Sequence, residues 1–157
     1  MEDKEIQKIV EDCVVILMRN EGEIIRNDVS EIAITHKLAE YLQSSFRELS
    51  VDVGYNRRTI DGRKPKYYLE DKYGIPDIIV HKRLTNKQNL LIIEIKKQNN
   101  TDSIGRENDF NKLTRFTDSE DKCGYNYQLG LFLDIPIEDG QEPRYFWYKD
   151  GEKLCCL

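Results

Sequence analysis

Three ionisable residues sit inside two runs of sequence that otherwise read as buried β-strand. Asp77 lies in Gly74-Ile75-Pro76-Asp77-Ile78-Ile79-Val80, and Glu94 and Lys96 lie in Leu90-Leu91-Ile92-Ile93-Glu94-Ile95-Lys96-Lys97. Charge in such places is costly unless it is paired or binds a metal. With a side-chain period of two, Asp77, Ile79 and His81 share one face of the first run. Glu94 and Lys96 share one face of the second, and Lys97 points the other way. Residues 84–89 form a polar turn, so the two runs make a hairpin whose antiparallel register brings Asp77 and Glu94 together at its open end.

Two adjacent carboxylates repel, and burial raises at least one pKa unless a cation lies between them. Mg²⁺ or Mn²⁺ is the economical partner. Magnesium takes one or two carboxylates, waters and substrate phosphate oxygens, and the Ile95 carbonyl can add a ligand. Lys96 would then hold the attacking water or stabilise charge developing on phosphorus. A buried ion pair of Lys96 with either carboxylate is the non-catalytic alternative.

Helices must position this hairpin. Ile6, Ile9, Val10, Cys13, Val14 and Leu17 recur at steps of three and four, which predicts an amphipathic helix over residues 3–20, stopped by Arg19-Asn20-Glu21-Gly22. Asn27-Asp28-Val29-Ser30 offers caps for a second helix running to about Leu49. On that helix Leu38, Leu42, Phe46 and Leu49 form the apolar stripe. Glu31, seven residues before Leu38, falls about 20° off the same line and so points to the core side. Glu40 falls on the opposite, solvated face. Glu31 could join the metal site, directly or through water, or be a first-turn carboxylate stabilised by the helix dipole. His36 is expected on the surface.

Val51–Tyr55 reads as a first strand, residues 107–118 as a helix on the sheet through Phe110, Leu113 and Phe116, and Tyr125–Ile135 and Arg144–Lys149 as two further strands. Residues 153–157 read as an edge segment. Asp109 and Lys112 could reach the sheet face but are expected to form a surface ion pair, and Gln128 is a weak candidate for substrate contact. Runs of strands with one helix inserted point to an α+β arrangement, a mixed sheet flanked by helices, rather than a doubly wound parallel sheet.

The chain has 157 residues, 39% hydrophobic and 34% charged, enough for one domain with one core: an N-terminal helix over 1–22 and a body over 28–157. No run approaches the roughly 20 apolar residues of a membrane span, and the N-terminus lacks secretory-signal features, so a cytoplasmic protein is expected. Cys13, Cys123, Cys155 and Cys156 have no metal-binding or disulfide spacing. Net charge is −5, so any nucleic-acid binding must be local. Arg57, Arg58, Arg63, Lys64 and Lys66 stand against Asp61 alone, with tyrosines at the edges of the stretch. Such a stretch suits phosphates and bases, or is a solvated loop.

Pro76-Asp77, then Glu94-x-Lys96 seventeen residues on from Asp77 in a second apolar strand, resembles the PD-(D/E)XK nuclease superfamily. Asp52-Val53-Gly54-Tyr55-Asn56-Arg57 and Pro76–Arg83 look like its small stand-alone members, many of which carry Glu where this chain has Gly54. The resemblance implies a restriction-endonuclease-like αβββαβ(β) core with one extra N-terminal helix. It implies metal ligation by Asp77 and Glu94, a catalytic or water-positioning Lys96, and a contribution from Glu31. The expected activity is Mg²⁺-dependent hydrolysis of nucleic acid, DNA first, with Arg57, Arg58, Arg63, Lys64, Lys66 and His81 as substrate contacts and no membrane partner. A homodimer that cuts both strands stays open. The alternatives are a catalytically inactive module of the same fold that binds nucleic acid or protein, and an unrelated domain with a structural salt-bridge network.

Overall fold

In chain order the elements are α1 (Asp3–Arg26), α2 (Glu31–Ser45), β1 (Ser50–Val53), β2 (Arg57–Arg58), β3 (Lys66–Tyr67), β4 (Ile78–His81), β5 (Asn89–Lys97), α3 (Ser103–Thr117), β6 (Leu129–Ile135), β7 (Arg144–Lys149) and β8 (Glu152–Lys153). The computed structural model describes residues 1–55, 74–120 and 124–155, together with the backbone of the short strands at 57–58 and 66–67. Of the expected phosphate-binding cations, Arg63 and Lys64 lie outside the described residues, as do the side chains of Arg57, Arg58 and Lys66.

Six strands form one mixed sheet in the order β1-β4-β5-β6-β7-β8, and β2 pairs with β3 in a separate two-stranded ribbon. β1, β4 and β5 are an antiparallel meander. The chain then crosses over through α3, and β6 lies parallel to β5, which a direct hairpin cannot achieve. β5 and β6 are largely buried on both faces because each is covered twice and flanked by other strands. The expectation of a mixed sheet with helices packed on it is met.

The two faces bury different sets. Ile78, Val80, Leu91, Ile93, Ile95, Leu129, Leu131, Leu133 and Ile135 pack with α1 and α2. Ile79, Ile92 and Phe132 pack with Leu113 and Phe116 of α3 and with Tyr125, Tyr127 and Tyr148. α3 lies close to the sheet at Gly130, where a Cβ would come within 3.1 Å of Thr117 and 3.2 Å of Tyr148.

Two boundaries differ from expectation. α1 does not stop at Gly22 but runs on to Arg26, and Ile25 is buried one turn later. Glycine inside a helix costs about 1 kcal/mol relative to alanine, and burying an isoleucine returns roughly 1.5–3 kcal/mol. The stop comes at Asn27-Asp28, where Asp28 takes a left-handed φ of 61° and its N–H donates to the Ile25 carbonyl. At the other end, α2 finishes at Ser45, and the Gln43 side chain donates to the carbonyls of Phe46 and Leu49 beyond it.

Candidate active site

Pairing of Ile78 with Ile93 sets the hairpin register, and one step further places Asp77 opposite Glu94, as side-chain period and register predict. β4 begins at Ile78, and past its end the Asp77 carboxylate takes over the role of a strand partner. Its Oδ2 accepts the Ile95 N–H at 2.8 Å. N–H and C=O of one strand residue point to the same side, so the Ile95 carbonyl faces Asp77 as well. The Gly54 N–H donates to the Asp77 carbonyl at 3.1 Å, and Gly54 has a left-handed φ of 57°. A glutamate at position 54 would be strained in that conformation, so glycine here serves the backbone that seats Asp77.

Glu94 and Lys96 project on the α3 side, together with Ile92. Glu94 is 1% exposed, and the Lys112 ammonium lies 2.9 Å from its Oε1. Asp109 bridges the lysines: its Oδ2 is 3.2 Å from the Lys96 ammonium and its Oδ1 is 3.4 Å from that of Lys112. Lys112 also donates to the Ile75 carbonyl at 3.2 Å, tying α3 to the segment that enters β4. The expected surface pair of Asp109 and Lys112 is therefore a correction, since they are 7% and 4% exposed. Asp109, Lys112, Leu113 and Phe116 follow i, i+3, i+4, i+7, so the apolar stripe of α3 continues into two charged residues. That continuation was the available signal.

Electrostatics follow from burial. Glu94 is held well above the usual carboxylate pKa, first by desolvation and then by Asp77, against the pull of Lys112. Asp77 is raised by burial, opposed by the Ile95 N–H and by Lys112 and Lys96. Burial alone would lower both lysines, but Asp109 with Glu31 and Asp77 holds Lys96 above its ordinary value, and Glu94 with Asp109 does the same for Lys112. Glu94 Oε1 and Asp109 Oδ2 are buried and, among the described residues, accept no hydrogen bond. The ammonium contacts at these oxygens are close but poorly directed, so charge attraction is met and hydrogen bonding is not.

Glu31 reaches this cluster from the opposite layer. Its Oε1 accepts the Lys97 N–H at 3.1 Å and the Asn100 side-chain amide at 2.9 Å, and its Oε2 is 3.8 Å from the Lys96 ammonium. Glu31, Thr35, Gly54, Pro76 and Asp77 line a common cavity of about 360 Å³. Glu40 is exposed and paired with Lys37 and His36. Lys97 turns to the other side and meets Asp28 and the Val29 carbonyl. Among the described residues no three His, Cys, Asp or Glu side chains converge where they could hold a metal ion.

His81 shares the Asp77 face but is engaged elsewhere. Its Nε2 is 2.9 Å from Asp52 Oδ2, Arg83 pairs with the same carboxylate, and Tyr55 meets its ring edge-on at 4.8 Å. Burial lowers the His81 pKa despite Asp52. Asp52 ends below its usual value because Arg83 and His81 outweigh its burial. At the far end of β6, Asp134 is likewise closed off by Arg106 and Arg144. Gln128 is not at the cluster. Its amide donates to the Met1 carbonyl and to Asp3, beside a larger cavity of about 560 Å³ that includes Phe46, Asn89 and Asn126. The buried Asn89 there already donates to the Tyr125 carbonyl, so size and chemistry separate: the roomier cavity lacks the carboxylate–lysine array.

No family model matches this chain. No curated protein matches it. Among solved structures it is similar to the crystal structure of SSO0001, with 17% identity and a TM-score of 0.39 over 90% of this chain. The chain spans 65% of that structure's length. Among the described residues, no helix is long and apolar enough to cross a membrane.

Proposed function

We propose that this protein is a divalent-metal-dependent nuclease that hydrolyses phosphodiester bonds, with DNA as the first substrate to test. The observation that carries this reading is the convergence of Asp77, Glu94 and Lys96 at the open end of the β4–β5 pair, with the Ile95 backbone beside them. The order of elements around it, an antiparallel meander followed by a helix and a parallel strand, supports the reading as a PD-(D/E)XK core.

The residues fit a divalent cation. Four carboxyl groups, Asp77, Glu94, Asp109 and Glu31, face two ammonium groups, Lys96 and Lys112, so with all four ionised the cluster would be two positive charges short of neutral, and the raised pKa values of Glu94 and Asp77 reflect that shortage. Two buried carboxylate oxygens lack hydrogen bonds. Asp77, Glu94 and the Ile95 carbonyl would hold the ion, and two carboxylates with substrate oxygens and waters are a sufficient set for Mg²⁺. Bound there, the ion supplies Lewis-acid polarisation and acidification of water.

The chain's own residues supply position and charge. The Ile95 N–H fixes the Asp77 carboxylate, and in the metal-free protein Lys112 holds Glu94. Lys96, partly exposed, carries three donors that steady the attacking water and the charge growing on the scissile phosphate. Arg57, Arg58, Arg63, Lys64 and Lys66 grip the backbone phosphates and give a locally basic stretch in a chain whose net charge is −5.

The test is a cleavage assay on single- and double-stranded DNA and RNA with Mg²⁺ or Mn²⁺, beside Asp77→Ala and Lys96→Ala. The wild type cuts at least one substrate, and each variant falls by on the order of 100-fold or more. A wild type that cuts nothing, or variants that cut equally well, sinks the reading. One observation favours a second reading, an inactive module of the same fold: Lys112 already satisfies much of the Glu94 charge. Binding without cleavage on the same substrates would select it.

A further inference from the structure

The Lys112 ammonium is bound as an internal cation. It lies 2.9 Å from Glu94 Oε1, 3.2 Å from the Ile75 carbonyl and 3.4 Å from Asp109 Oδ1, in a side chain 4% exposed. It therefore stands on one of the two carboxylates that the nuclease reading assigns to the metal. Asp109 is the other carboxylate within its reach: its Oδ1 already accepts a hydrogen bond from Lys112 at 3.4 Å, and its Oδ2 lies 3.2 Å from the Lys96 ammonium. We propose that Lys112 and Asp109 form an exchange pair: Lys112 bridges Glu94 and Asp109 while no divalent cation is present, and on binding of the cation its ammonium leaves Glu94 and is held by Asp109. Lys112 is thus a positioning residue that sets how tightly this site takes a divalent ion, and Asp109 is its alternative seat. The proposal rests on the nuclease reading of Asp77 and Glu94 and goes beyond it, because neither Lys112 nor Asp109 belongs to the Asp-Glu-x-Lys pattern.

The geometry gives opposite signs for the two residues. Removing the ammonium leaves Glu94 without its competitor, so Lys112→Met binds Mn²⁺ more tightly. Removing the alternative seat keeps the ammonium on Glu94, so Asp109→Asn binds it more weakly. Each change is on the order of tenfold. The discriminating measurement is the double variant. If Asp109 acts through Lys112, the loss caused by Asp109→Asn shrinks or vanishes once Lys112 is methionine. A plain effect of one negative charge near the ion stays the same in both backgrounds.

The experiment is Mn²⁺ titration of the full chain, followed by paramagnetic resonance of the free ion, on wild type, Lys112→Met, Asp109→Asn, the double variant and Asp77→Ala. Near-ultraviolet circular dichroism verifies folding, and Lys112→Gln replaces Lys112→Met should the latter not fold. Tighter binding by the Lys112 variant, together with a background-dependent Asp109 effect, supports the proposal. Unchanged or weaker binding by the Lys112 variant, or an equal Asp109 effect in both backgrounds, overturns it. If wild type binds Mn²⁺ and Asp77→Ala does not, that overturning leaves the nuclease reading standing. If no variant binds Mn²⁺, the metal site and the exchange pair fail together.

Discussion

The two faces of the central sheet are built from the same strands and solve different problems. On the α1–α2 face, side chains such as Leu38, Ile93 and Leu131 are buried in a continuous apolar cluster. On the α3 face the apolar cluster is smaller, and beside it lie Glu94, Asp109, Lys112 and Asp134, all buried. Alternation along β5 puts Ile93 and Ile95 on one side and Glu94 and Lys96 on the other. Buried charge is weak evidence of stabilisation, because desolvation offsets most of the Coulomb attraction. One face holds the fold together, and the other tolerates an electrostatic cost that the first can carry.

The largest expected effect breaks the apolar face. Leu131→Ala removes a fully buried side chain and lowers unfolding free energy by about 2–5 kcal/mol in urea denaturation. Asp77 and Glu94 stay in register, so divalent-ion binding by the folded fraction is unchanged.

A smaller effect, of opposite sign, is expected across the sheet. Replacing the Glu94–Lys112 pair together by Leu and Met leaves the protein between equally stable and about 4 kcal/mol more stable, while cleavage is lost. A loss as large as that of Leu131→Ala would make the charged face a structural staple and erase the contrast.

The smallest effect sharpens the contrast through pH. Glu94 and Asp77 have folded pKa values raised above their ordinary ones, so the folded state keeps their protons longer than the unfolded state does. Their contribution to stability therefore falls as pH rises from the ordinary carboxylate range through the folded pKa values. In the presence of EDTA, Glu94→Gln flattens that fall, and the Asp77 part remains. Parallel wild-type and variant slopes would count against a strained Glu94.

Much of the charged face was legible before any coordinates. Apolar runs around Asp77, Glu94 and Lys96 marked strands, parity separated Lys96 from Lys97, and helical phase separated Glu31 from Glu40. Asp109 and Lys112 could be placed near the sheet face but not ranked above a surface pair, because an i, i+3 pair on a helix is usually solvated, and only docking against Glu94 makes it internal. The true end of α1 was hidden for a related reason: Gly22 is a stop only when nothing beyond it gains by staying helical, and Ile25 does. The basic stretch from Arg57 to Lys66 remains an argument from composition.

The Ile95 amide has a use that the backbone-paired amides of the hairpin lack. Its hydrogen is held by a side-chain carboxylate, Asp77 Oδ2, and not by a backbone carbonyl. Its exchange with deuterated solvent and its nuclear resonance frequency therefore follow what happens to one oxygen atom of the site. A single labelled isoleucine amide can report occupancy at Asp77 with no substrate present and no turnover to be measured.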